Sequence, residues 1–232
     1  MTGHASALLS FRFTWTTIGL LKYLNTLDLS INNISGSIPP QLGNCSILDY
    51  LNLSENVLSG EIPASLGNLK KMTYISLSFN SLSGTIPEEL FKNQFLVEVY
   101  LHYNQLSGPI PFTIGEMTSL GFLWLHGGNM LSGVLPGSIG NCTNLEEFYL
   151  LDNQLSGALP ETLGQIKSLK IFDAKNNRFT GKIPFSFGNC RSLEKLALVD
   201  NNFSGRIPTS LGLLSNLRHL LLSDNSLSGP IP

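Results

Sequence analysis

A column of residues spaced 24 apart, with one step of 25, runs Asp28, Asn52, Ser76, Tyr100, Trp124, Tyr149, Asp173, Ala197 and Leu221. Three aromatics stand together in its middle, and Tyr74, Phe79, Tyr103 and Phe122 lie around them. Exposed Tyr and Trp offer much contact area for little rotamer entropy, so this density is what interaction hot spots are made of. Paired across strands, the same rings would also stabilise a sheet.

Carboxylates accompany the rings. Asp28, Asp49, Glu55, Glu98, Glu146, Glu147, Asp152, Asp173, Glu194, Asp200 and Asp224 fall on or beside this face, 11 of the 16 acidic residues in the chain. Only Lys170, Lys175, Lys195 and Arg218 of the 14 basic ones do. An acidic face is therefore expected, one that favours a cationic ligand. His102 stands beside His126 one repeat on, but no third ligand falls next to them, so no metal is assigned. The sequence brings no Ser/His/Asp set into one pocket and has no phosphate loop, so neither catalysis nor a cofactor is expected.

These side chains must be positioned by a repeated phrase, written most clearly at 96–111 as LVEVYLHYNQLSGPIP. Its asparagine recurs at Asn32, Asn56, Asn80, Asn104, Asn129, Asn153, Asn177, Asn201 and Asn225. Self-similarity at a fixed period of this length is the mark of a solenoid. Alternating Leu and polar residues in LxxLxL predict a short strand with one face inward, and each repeat brings the next strand back beside it. Nine strands about 4.8 Å apart predict an arc on the order of 40 Å long. The recurrent Asn is expected to hydrogen-bond backbone at the bend. Pro in each Ile-Pro step, with Gly before it, should keep the return path extended and tight. At 126–129 the run His-Gly-Gly-Asn carries one extra residue and predicts a small bulge. Ala174 is undersized for a core position and predicts a looser seventh repeat.

The chain has 232 residues, 42% of them apolar, and a net charge of −2. That suits one elongated repeat domain, 16–232, after a non-repeat segment, 1–15. There is no Lys/Arg run to suggest nucleic acid and no run of 18 apolar residues to span a membrane. Cys45, Cys142 and Cys190 share one repeat position, several repeats apart, too far for a disulfide, and are expected to be buried free thiols.

The phrase LxxLxLxxNxLSGxIP followed by xxLGNLxxL resembles the plant-type leucine-rich repeat over about residues 16–232. The resemblance implies a leucine-rich repeat solenoid, a right-handed superhelical arc with a parallel β-sheet on the concave face and turns or 3-10 segments on the convex face. Ectodomains of receptor kinases, receptor-like proteins without a kinase and secreted inhibitors of microbial polygalacturonases share this repeat. EELFKNQ from Glu88, YLH from Tyr100, IGNCTNLE from Ile139, IKSLKIFDA from Ile166 and FSF from Phe185 are most similar to the amino-terminal half of receptors for plant elicitor peptides. That implies an extracellular peptide ligand, a co-receptor with a short leucine-rich repeat ectodomain, and a role in defence or developmental signalling. The head does not read as a signal peptide, the last repeat stops in mid-phrase, and neither a cysteine-paired cap nor a kinase is present, so the chain is expected to be a piece of a longer one.

The residues expected to meet the ligand are Tyr74, Glu98, Tyr100, His102, Tyr103, Phe122, Trp124, His126, Glu147, Tyr149, Asp152 and Asp173. Asn33, Asn44, Asn52, Asn141 and Asn202 begin N-x-Ser/Thr tripeptides, which fit an apoplastic or cell-surface chain. A glycan on Asn52 would close one end of the concave face.

Overall fold

In each LxxLxL segment the leucines turn inward and the intervening residues outward, the two-residue period of a strand. The computed structural model describes residues 15–232, so the non-repeat segment expected at 1–15 lies, apart from Trp15, outside the described residues. Nine three-residue strands form one parallel sheet, in chain order from Thr26–Asp28 to His219–Leu221. Register carries each repeat onto the next without slip. Ser76 pairs with Tyr100, Tyr100 with Trp124, Trp124 with Tyr149 and Tyr149 with Asp173. This sheet is the concave face, and the column read from spacing is a true row across it.

Beneath the sheet lies a continuous apolar core. Leu96, Val99 and Leu101 are fully buried, as are their equivalents Leu120, Leu123 and Leu125. Ala174 is fully buried as well, and its repeat also buries Phe172, Phe179 and Phe187, whose rings supply bulk that the alanine lacks. Phe172 meets Phe148 at 5.7 Å and Phe187 at 5.5 Å.

The asparagines tie the repeats together. The Asn104 side-chain amide donates to the Leu77 carbonyl at 2.9 Å and the Leu101 carbonyl at 3.2 Å, while its oxygen accepts the Leu82 N–H at 3.0 Å. Two of these three bonds reach into the preceding repeat, so each Asn from Asn56 to Asn225 is both a turn former and an inter-repeat staple. The cysteines act in a similar way, being buried free thiols whose Sγ atoms donate to carbonyls one repeat earlier. Cys142 reaches Ile114 at 3.1 Å and Cys190 reaches Leu163 at 3.4 Å.

The sequence reading did not anticipate a second parallel sheet of nine strands, from Ser35–Gly36 to Ser226–Leu227, built from the Leu-Ser-Gly-x segments. After it, a proline at an extended φ leads into a 3-10 turn in most repeats, and its carbonyl accepts the N–H three residues on, as Pro39 does from Leu42 at 3.0 Å. Repeat three instead makes a single α-turn, Glu88–Phe91. Glycine inside the 3-10 turn lets repeats approach closely, since a Cβ on Gly43 would lie 2.3 Å from the Ser65 carbonyl oxygen. No helix among the described residues is long and apolar enough to cross a membrane.

Candidate ligand-binding face

Because register is exact from strand to strand, rings placed one repeat apart are brought into contact. Tyr50 stacks on Tyr74 with centroids 4.3 Å apart. Tyr74 meets Tyr100 at 5.6 Å, Tyr100 meets Trp124 at 5.0 Å, and Trp124 meets Tyr149 at 5.2 Å, the last two edge to face. The row therefore crosses five repeats. Tyr50 was missed in the sequence, although it precedes Tyr74 at the same repeat position. Phe122 sits between Glu98 and Glu147 in the register.

A second line of rings flanks the first where the strands end. His102 and His126 stack at 4.7 Å, and Phe79 stacks on Tyr103 at 4.4 Å. Phe79 and Tyr103 are both held at positive φ, 53° and 52°, a conformation that bulky side chains rarely adopt. The same repeat position is at positive φ in Ile31, Glu55, Asp152, Asn176, Asp200 and Asp224, so the conformation belongs to the turn, and it leaves Phe79 and Tyr103 half-exposed beside the aromatic row. The extra residue of repeat five is absorbed by Gly127 and Gly128 at φ 68° and 82°. A Cβ on Gly127 would fall 2.7 Å from the Tyr103 ring, so this glycine is the floor on which Tyr103 rests.

Burial governs the protonation of the cluster. His102, expected to meet the ligand, is only 7% exposed, and desolvation followed by the neighbouring His126 pulls its pKa down to about 4. His126 is also lowered, chiefly by burial, with Asp152 and Asp173 opposing. Burial raises the phenols, Tyr74 to about 12, and Tyr100 is raised further by the carboxylate it bonds, Glu98. Near neutrality the cluster is therefore uncharged imidazole and phenol. Nδ1 of His102, Nε1 of Trp124 and Nδ1 of His126 are buried without a hydrogen-bond partner.

Of the eleven carboxylates expected on the acidic face, three are neutralised by ion pairs. Glu146 pairs with Lys170 at 2.6 Å and Glu194 with Arg218 at 3.9 Å. Asp173, expected to face a ligand, is 2% exposed and pairs with Lys195 at 2.7 Å, so its carboxylate is already committed. Lys195 also lies 5.9 Å from the centre of the Tyr149 ring, a cation held between a carboxylate and an aromatic face. Asp152 is exposed and accepts from the Asn176 amide at 2.7 Å, and Glu98 accepts from the Tyr100 hydroxyl at 2.7 Å. Among the described residues the other eight carboxylates form no ion pair: Glu55, Glu98, Glu147 and Asp152 lie beside the aromatic rows of repeats two to six, and Asp28, Asp49, Asp200 and Asp224 lie towards the two ends of the face.

Asn33, Asn44, Asn141 and Asn202 are exposed. Asn52 is half-buried, and its oxygen accepts from the Ser54 hydroxyl at 2.7 Å while its amide donates to Asp28 at 3.4 Å. A glycan there would compete with that amide bond.

The leucine-rich repeat family profiles match residues 22–82, 95–117, 144–166, 168–190, 192–214 and 216–232. Among solved structures, a TDR receptor superposes with a TM-score of 0.88 at 34% identity, over 90% of this chain and 36% of that one. A complex of PEPR1 with AtPEP1 gives 0.80 at 43% identity, over 93% of this chain and 34% of that one. The Arabidopsis receptor kinase HAESA, with the peptide hormone IDA and the co-receptor SERK1, gives 0.87 at 37% identity, over 90% and 35%. This chain thus spans about a third of the length of each of these structures. No curated protein matches its sequence.

Proposed function

Because the chain belongs to the leucine-rich repeat family, in the form seen in plant receptor ectodomains, we propose that its concave sheet recognises an extended, basic extracellular peptide. The observation that carries this reading is the row of ring contacts from Tyr50 to Tyr149, lying beside carboxylates that no basic residue among the described residues neutralises. Rings across five strands offer successive pockets to a chain laid across them, and a peptide's cations meet Glu55, Glu98, Glu147 and Asp152. Structures whose names record a bound peptide share this fold at 37% and 43% identity, which supports the same use here. In this reading the chain is the recognition part of a cell-surface receptor kinase in defence or developmental signalling. It acts on the extracellular side, bears glycans on exposed asparagines, and is joined by a co-receptor once the peptide is bound.

An array of synthetic 12-residue peptides of graded net charge, probed with the purified chain, tests the reading. Basic peptides should be retained, and Trp124→Ala should weaken retention about 30-fold, the equivalent of about 2 kcal/mol for a central anchor. Retention indifferent to peptide charge, or to Trp124→Ala in a chain with native circular dichroism, would refute it.

A further inference from the structure

Beside the contact of Tyr74 with Tyr100 the concave face has a notch. Where repeat four carries Tyr100 and His102, repeat three places Ser76 and, two residues on, Ser78. Both serines are almost fully buried, and their hydroxyls lie 3.1 Å apart, forming the floor of a depression of about 340 Å³. Its walls are Tyr100, His102 and Phe79. Two carboxylates, Glu55 and Glu98, stand at its rim. That volume is at the small end of ligand pockets, enough for one side chain rather than a whole drug-sized molecule.

The same sheet shows what it does with a carboxylate beside a ring. In repeats six to eight, Tyr149 and Asp173 hold the ammonium of Lys195. In repeats three and four Tyr100 and Glu98 offer the same pair of groups, and neither Glu98 nor Glu55 is in an ion pair among the described residues. Resting on the reading of the concave face as a peptide-binding surface, we propose that this notch is the seat of an arginine side chain of the bound peptide.

Three features favour guanidinium over ammonium. Guanidinium is planar and stacks on aromatic walls, whereas ammonium is a compact, strongly hydrated point charge. Its five N–H donors match acceptors that diverge around the notch, the carboxylates at the rim and the serine oxygens at the floor. His102, 7% exposed, lines the notch with Nδ1 unpartnered, and a neutral imidazole keeps one acceptor nitrogen.

The test is a nitrogen-15 NMR titration of the chain with N-acetyl-arginine amide, set against N-acetyl-citrulline amide, its uncharged near-isostere. Saturable shifts are expected at the backbone amides of Ser76, Ser78 and Glu98, with citrulline at least tenfold weaker. Ser78→Leu, which fills the notch, should abolish the shifts. The near-isosteric Glu98→Gln should weaken binding at least fivefold without altering the rest of the spectrum. Shifts that do not saturate, that map elsewhere, or that citrulline reproduces would overturn the seat. Basic peptides retained on the array with no arginine shift at the notch overturn the seat alone and leave the recognition reading standing. An array without enrichment overturns the recognition reading, whatever the notch does.

Discussion

The imidazoles of His102 and His126 lie face to face, 4.7 Å apart with an interplanar angle of 11°, one above each of two adjacent repeats. Their burial makes the centre of the concave face sensitive to acid. His102 has a folded pKa of about 4 against an ordinary 6.5, so the unfolded chain binds more protons between those values. The stability this ring contributes is complete above pH 6.5 and falls as pH drops towards 4. Denaturant titrations at pH 7 and pH 4.5 should show a smaller acid loss in His102→Leu than in the parent, the carboxylates being common to both. An equal loss would mean that the ring is solvated.

Asparagine at one repeat position should differ in worth along the chain. Asn104 is buried and bonded to two repeats, so Asn104→Leu orphans the Leu82 N–H, while the Leu77 and Leu101 carbonyls each lose one donor and keep the amides of Asn80 and Asn129. A buried unpaired group costs about 1–3 kcal/mol, and the loss should fall in that range, about 2 kcal/mol or more. Asn32 is exposed and its amide bonds only within its own turn, to Leu29 and Ser30, so Asn32→Ala should cost under about 1 kcal/mol. Equal losses in urea melts would contradict the inter-repeat staple.

Ile31 carries a β-branched side chain at φ 53° and is 73% exposed, so it is strained with little packing to offset the strain. Ile31→Asn, which tolerates the left-handed conformation, should stabilise the fold by about 1 kcal/mol. A melting temperature that falls would show that Ile31 packs more than its exposure indicates.

Gly127→Ala adds strain at φ 68° and drives a methyl group into the Tyr103 ring. The expected loss is about 1–2 kcal/mol, and peptide retention on the array should weaken with it because Tyr103 leaves its stack on Phe79. Unchanged near-ultraviolet circular dichroism and unchanged retention would remove Tyr103 from the site.

Much of this was legible from spacing alone. A strict period fixes which residues share a column, so Tyr100, Trp124 and Tyr149 could be placed side by side, and the Asn bonds followed from the need to satisfy a buried amide. The second sheet was not legible, because Leu-Ser-Gly is poor in strand formers and reads as a turn. It pairs because Gly at positive φ bends the chain and the Asn oxygen anchors the residue before the strand or within it, as Asn104 does for Leu82. The commitment of Asp173 to a cation was not legible, for a geometric reason. Lys195 lies opposite Ile171 in the register yet reaches diagonally to Asp173, a contact that columns do not show. The notch escaped notice because it is made by small residues, Ser76 and Ser78, and a search for large side chains passes over a gap.

The most direct measurement of the central claim is calorimetric titration of the strongest basic array peptide into the parent chain and Trp124→Ala, at low and high salt. The account predicts 1:1 binding that weakens about 30-fold in the variant and weakens with added salt in both. Equal affinity for parent and variant, with no response to salt, would place recognition away from the aromatic row and contradict the account.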